Sequence, residues 1–189
     1  MFAGNSQRAF GGTMWRAVAT VISGLILIGG CGGDDPVPRE PEPTPSSTAT
    51  PPPMPDQARE NTVEGAAAFV TYYVDVLNYA AVTGDVDELE ELTDPSCEGC
   101  ARYVELFRNT YADGGAISGG AWSLGTITIR DDGIETLAST DVQINEGQYT
   151  ATSSSEPEAT SRTSERLTFG AVLTDAGWST TQLFLGDPK

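Results

Sequence analysis

The chain has 189 residues, 27 of them acidic and 10 basic, for a formal charge of −17. A surface this acidic repels nucleic acid and anionic headgroups, which argues against a nucleic-acid partner. There is no histidine, so neither a Ser-His-Asp or Cys-His nucleophile system nor a His-ligated zinc site can be assembled.

The first 30 residues read as a lipoprotein signal peptide. Arg8 and Arg16 make a basic start. Ala17 to Gly30 is an apolar stretch too short for a comfortable membrane span, and Gly29-Gly30 places small residues ahead of Cys31. The expectation is that Cys31 becomes the acylated first residue and holds the chain on the extracytoplasmic face of the cell membrane. Processing would leave 8 basic residues against 27 acidic ones. Residues 31–56 carry Pro36, Pro38, Pro41, Pro43, Pro45, Pro51-Pro52-Pro53 and Pro55 among Ser, Thr and Glu. With almost no large apolar side chain they cannot bury a core, and they read as a disordered tether.

Residues 57–189 have the length of one domain. Its first half has helical periodicity. Asn61 with Glu64 forms a capping-box pattern, and Ala66, Phe69, Val70, Tyr73, Leu77, Ala80 and Ala81 follow on one face, up to Gly84 as a stop. Asp85 to Glu88 repeats the capping pattern before Leu89 and Leu92. Asp94-Pro95 then opens a third helix with Cys97, Cys100, Val104, Phe107 and Tyr111 on one stripe.

The second half reads as strands. Trp122 to Arg130 is the first, with a break in alternation near Gly125 that marks a bulge. Ile134 to Ile144 and Gln148 to Thr152 flank Asn145-Glu146-Gly147, a hairpin signal. Ser153 to Glu165 reads as a mobile loop. Leu167 to Leu173 and Trp178 to Leu185 close the chain across Asp175-Ala176-Gly177. Gly114-Gly115 and Gly119-Gly120 lack a phosphate-loop pattern and read as turns. Three helices followed by an antiparallel meander predict an α+β domain, with N-terminal helices packed on one face of a curved antiparallel sheet.

The segment from Met54 to Leu185 resembles a family of actinobacterial lipoproteins whose domain has no established activity. The residues that carry the resemblance are Met54-Pro55, Glu64-Gly65-Ala66, Phe69, Tyr72-Tyr73, Leu77-Asn78-Tyr79, Thr83-Gly84-Asp85, Cys97-Glu98-Gly99-Cys100 and Gly114-Gly115. The order of elements is also similar to the cone-shaped folds of the nuclear transport factor 2-like superfamily. That likeness implies a bent sheet and a long helix enclosing a pocket. Such folds host enzymes, binders and assembly modules alike, and no catalytic residue transfers.

With Cys31 lipidated, Cys97 and Cys100 remain as an even pair. Their spacing of three on a helix suits a disulfide, and an oxidising compartment favours one. A redox site and a pair of reduced buried thiols are the alternatives. Asp94 and Glu98 oppose the redox reading because they would raise a thiolate pKa. Zinc lacks further Cys or His ligands. Asp85, Asp87, Glu88, Glu90, Glu91, Asp94 and Glu98 cluster without the spacing of a calcium loop, and read as a solvated face. Neither a metal nor a cofactor is expected.

Phe69, Tyr73, Trp122, Tyr149, Phe169 and Trp178 are candidates to line a pocket between helix and sheet, or simply to fill the core. The leading functional expectation is a lipid-anchored extracytoplasmic binding or interaction module. One alternative is a small-molecule enzyme using carboxylate or tyrosine acid–base groups, with Asp75 and Asp141 as candidate carboxylates. The other is a structural envelope protein without a ligand.

Overall fold

A computed structural model describes residues 49–131 and 133–186. The expected signal, the lipidation site Cys31 and tether residues 31–48 lie outside the described residues. The tether expected to run to residue 56 ends earlier. The Tyr79 hydroxyl donates to the Ala49 carbonyl at 3.3 Å, Met54 packs against the core, and Ala58 in the 3-10 turn Asp56–Arg59 is fully buried. One methionine and one alanine are enough to fix this proline-rich strap, because proline has already restricted its backbone.

Helix α1 spans Val63–Thr83. Its cap is Thr62 rather than the expected Asn61: the Thr62 hydroxyl accepts the Gly65 N–H at 2.9 Å. It ends where predicted, at Gly84, whose φ of 76° turns the chain out of the helix. More of α1 is buried than the predicted face, Tyr72, Val74 and Val76 included. The strap and helix α2 (Asp87–Glu91) cover sides that periodicity left to solvent. Helix α3 spans Glu98–Ala112 and starts later than Asp94-Pro95 predicted. Asp94 instead accepts the Ser96 N–H in a local turn, and Cys97 takes the cap position, its sulfur accepting the Cys100 N–H at 3.2 Å.

The strands are β1 Gly114–Gly119, β2 Trp122–Leu124, β3 Thr128–Asp131, β4 Thr136–Ile144, β5 Gly147–Thr152, β6 Glu158–Thr160, β7 Thr163–Thr174 and β8 Gly177–Leu185. They form a three-stranded sheet, β1-β5-β6, and a five-stranded sheet in which β2-β4-β7-β8 run in order with β3 also paired to β4. One register runs through both sheets. Gly114 faces Thr152, Gly119 faces Gly147, and Trp122 still faces Ile144. Likewise Tyr149 faces Glu158, and Ile144 faces Thr163. The two sheets are therefore halves of one bent antiparallel meander, and its long strands cross the bend without losing alignment.

Two expectations fail here for one reason. The hairpin at Asn145-Glu146-Gly147 does not form, and Ser153 to Glu165 is not simply a loop: it turns at Ser153–Ser155 and then supplies β6 and the start of β7. A hairpin at Asn145 would fold β5 back on β4. Instead the neighbouring chain pairs straight across it, with the Gly120 N–H on the Glu146 carbonyl and the Asn145 N–H on the Ala121 carbonyl, both at 3.0 Å. Gly119 and Gly120, at φ of 67° and 69°, let the backbone bend in place. The glycine-rich stretch read as turns is thus strand β1 and the bend. The slip near Gly125 does interrupt pairing: the partner of Leu124 is Val142 and that of Thr128 is Ser139, one residue out of step.

Helix α1 lies against the inner face of the sheet, which presents Ala138, Val142, Leu167, Phe169, Ala171, Trp178 and Leu183 to the core. The edge of β8 is covered by residues 92–94, through Thr180 N–H to the Leu92 carbonyl and Asp94 N–H to the Thr180 carbonyl, both at 2.8 Å.

Candidate functional site

The six aromatics proposed as pocket lining divide into two groups. Phe69, Tyr73, Phe169 and Trp178 form a closed cluster. Ring centroids are 6.1 Å apart for Phe69–Phe169, 6.0 Å for Phe69–Trp178 and 5.1 Å for Tyr73–Phe169. These four are core, because large rings meet from both the helix and the sheet; Trp178 in addition lines a groove under Pro52–Met54. Tyr73 reaches Thr93 with its hydroxyl at 3.2 Å, and burial pushes its pKa up to about 12.

Trp122 and Tyr149 line a cleft. It has a volume of about 440 Å³ and lies between the C-terminal half of α1, the middle of α3 and the bend of the sheet. Leu77 and Ala81 come from α1, Tyr103, Leu106 and Phe107 from α3, and Ile117 and Ile144 from the strands. Among the described residues no charged side chain lines it; the exposed Thr160, Ser161 and Thr163 mark its rim. Its volume falls in the ordinary range for small-molecule sites.

Polar groups behind the walls hold the cleft open. Asn78 uses both ends of its amide on one residue: it accepts the Trp122 N–H at 2.8 Å and donates to the Trp122 carbonyl at 2.9 Å. This clamps the start of β2 to α1. The Trp122 ring meets Tyr103 edge to face at 5.3 Å, and Tyr103 lies 6.1 Å from Phe107. The Tyr111 hydroxyl donates to the carbonyls of Ala81 at 3.0 Å and Ile117 at 3.3 Å, joining the ends of α3, α1 and β1. Burial first, and then the nearby Glu165 carboxylate, raise the Tyr103 pKa, so this hydroxyl stays protonated at neutral pH.

Cys97 and Cys100 form a buried disulfide at the start of α3, with Cα atoms 5.3 Å apart. Neither candidate carboxylate reaches the cleft. Asp75 is exposed on α1, with partial desolvation raising its pKa. Asp141 is exposed on the outer face of β4 and pairs with Arg166 at 3.1 Å. The acidic cluster is spread over separate partners: Tyr79 donates to Asp85 at 2.8 Å, Tyr72 to Glu88 at 2.6 Å, and Arg108 pairs with Glu90 at 2.6 Å. Among the described residues no group of carboxylates or cysteines converges as a metal site would need. A larger hollow of about 710 Å³ under Pro52–Met54 is lined by the charged Arg59, Glu88, Glu91 and Asp175 together with Tyr72, Leu92 and Trp178.

Sequence reasoning missed Tyr103, Leu106, Asn78 and Ile117. Tyr103 was legible as a flank of the α3 stripe beside Val104 and Phe107. Asn78 stood out only as part of Leu77-Asn78-Tyr79, and its clamping role had no local signal, because its partner is 44 residues away.

The chain belongs to the family of unknown function DUF6318, whose model matches residues 42–183. No curated protein sequence matches it. In structure it is similar to the intermembrane-space region of the chloroplast protein ARC6, with a TM-score of 0.50 and 11% identity over 68% of this chain and 99% of that one. A nuclear transport factor 2-like superfamily protein from Salmonella enterica aligns with a TM-score of 0.45 and 12% identity, over 68% and 94% of the two chains. A protein from Kribbella flavida aligns with a TM-score of 0.46 and 12% identity, over 66% and 92%. These likenesses are of fold: helices on a bent antiparallel sheet, with nuclear transport factor 2-like proteins as neighbours.

Proposed function

We propose that this protein is a lipid-anchored, extracytoplasmic binding module whose ligand occupies the apolar cleft between α1, α3 and the bend of the sheet. The observation that carries the binding site is the uncharged cleft of about 440 Å³, with Trp122 and Tyr103 on its wall. Apolar concavities with few polar groups are where small ligands bind. The anchor is supported by the order of basic, apolar and small residues ahead of Cys31.

A neutral fluorescent probe, N-phenyl-1-naphthylamine, tests the site on residues 32–189, which hold the whole compact unit. Emission should rise on binding, and Ala81→Trp, which fills the cleft from α1, should abolish the rise. An unchanged response in Ala81→Trp would remove the cleft from the proposal. Detergent partitioning and intact mass of the native protein test the anchor separately. Cys31→Ser should shift the chain out of the detergent phase and remove the acyl mass; a variant that stays with the membrane with unchanged processing would refute acylation at Cys31.

A further inference from the structure

We infer that the occupant of the cleft is the single straight hydrocarbon chain of a membrane amphiphile, with its head left outside at the hydroxyl rim. This rests on the reading of the cleft as the ligand site and of Cys31 as the anchor.

Shape is the first argument. Past Tyr103 and Leu106 lies a second hollow of about 340 Å³ between α3 and β8, lined further by Gly99, Arg102, Leu183, Phe184 and Leu185. Both hollows share Tyr103 and Leu106. Together they make an elongated surface across α3 rather than a round chamber, largely apolar with Arg102 beside its second part. Leu106 and Phe184 remain 42% and 46% exposed along it. A linear chain covers such a path; a compact ring system fills only one end.

Polarity is the second. The one amide in the cleft, Asn78, has its oxygen and one N–H committed to Trp122. The remaining polar groups of the lining are the Tyr103 and Tyr149 hydroxyls and the rim residues, and among the described residues no charged side chain lines the cleft, so its mostly apolar wall rewards each buried methylene. The hydroxyls of Thr160, Ser161 and Thr163 are exposed and meet a polar head at the mouth.

Placement is the third. The chain enters the described domain at Ala49, whose carbonyl lies 3.3 Å from the Tyr79 hydroxyl, next to Asn78 on the part of α1 that walls the cleft. Only residues 32–48 separate this point from Cys31. Even fully extended they span about 60 Å. An anchored domain stays that close to the bilayer, where chains of amphiphiles are the abundant apolar solute.

The test uses residues 32–189, in which Trp122 and Trp178 are the only tryptophans, and reads Trp122 emission in a Trp178→Phe background. Titration with octanol, decanol and dodecanol should show affinity rising about fourfold per added methylene, the increment for moving one methylene out of water. Adamantanol should bind more weakly than decanol. Dodecanoate and a zwitterionic lysophospholipid of the same chain length separate a free fatty acid from a lipid as the source of the chain. Leu106→Glu should lower decanol affinity at least tenfold, whereas Val82→Glu, an exposed position on α1 outside the cleft, should leave it unchanged. Adamantanol binding as tightly as decanol, or affinity independent of chain length, would overturn the inference. Naphthylamine binding that persists in that case leaves the cleft as a site for another ligand. Self-association abolished by Leu106→Glu, with no alkanol bound, would overturn it in favour of a second copy of the chain.

Discussion

Phe69 and Leu77 belong to the same helix, yet they meet opposite kinds of surroundings. At the closed end of the sheet, Phe69 and Tyr73 face Phe169 and Trp178, and the rings pack against one another. At the open end, Leu77 and Ala81 face a sheet that bends at Gly119-Gly120, and a cleft remains. Two causes separate the ends. The helix side chains shrink toward the C-terminal half of α1, with Asn78, Ala80 and Ala81 in place of aromatics, while the strands change direction. One end packs as core, and the other is the end proposed to bind.

That division predicts unequal costs. Phe69→Ala removes a ring that touches three other aromatics and should cost about 3–5 kcal/mol, measured by denaturant unfolding, because a well-packed cluster relaxes only partly around a void. A loss below about 1 kcal/mol would mean that the closed end is not the core of stability.

The closed end should also reveal itself in alkali. The folded Tyr73 pKa is raised to about 12, against about 10 in an unfolded chain. Above pH 10 the unfolded state binds fewer protons, so stability falls as pH rises from 10 to 12, by about 2–3 kcal/mol in all from this group. Below pH 10 the contribution is fully present. Tyr73→Phe should flatten this part of the pH–stability curve; a curve unchanged in slope would assign the alkaline loss to other groups.

The disulfide belongs to the helix that walls the open end. Replacing Cys97 and Cys100 together with Ser should lower stability by about 2 kcal/mol, given so short a closed loop, and leave the circular dichroism of the fold intact. Because α3 also carries Tyr103, Leu106 and Phe107, naphthylamine binding should weaken in the same variant. Unaltered binding together with the stability loss would show that the helix start and the cleft are independent.

The smallest effect is expected in the cleft itself. Leu106 is partly exposed, and Leu106→Ala should change stability by no more than about 0.5 kcal/mol while reducing probe binding. A loss as large as that of Phe69→Ala would erase the contrast between the two ends.

Much of this architecture could be read from the residues. Helical spacing marks α1, and Gly84 marks its end. The Cys97–Cys100 spacing suits the disulfide that forms, and alternation marks β7 and β8. These features are local: a cap, a turn of helix or a run of alternating side chains carries its own signal within a few residues. The bend was hidden because Asn145-Glu146-Gly147 has the local chemistry of a hairpin. Pairing with the strands on both sides is what keeps it straight through the register. The cleft was hidden for the same reason. Trp122 and Trp178 look alike as buried aromatics in a strand, and only the positions of Gly120, Asn78 and Phe169 around them decide which lines the apolar cleft and which stacks in the aromatic cluster. Backbone preference and periodicity act between neighbours in sequence, so the sequence alone determined the elements and their order. Whether the space between them is filled depends on volumes supplied by residues far apart in the chain, and only the tertiary structure decided that.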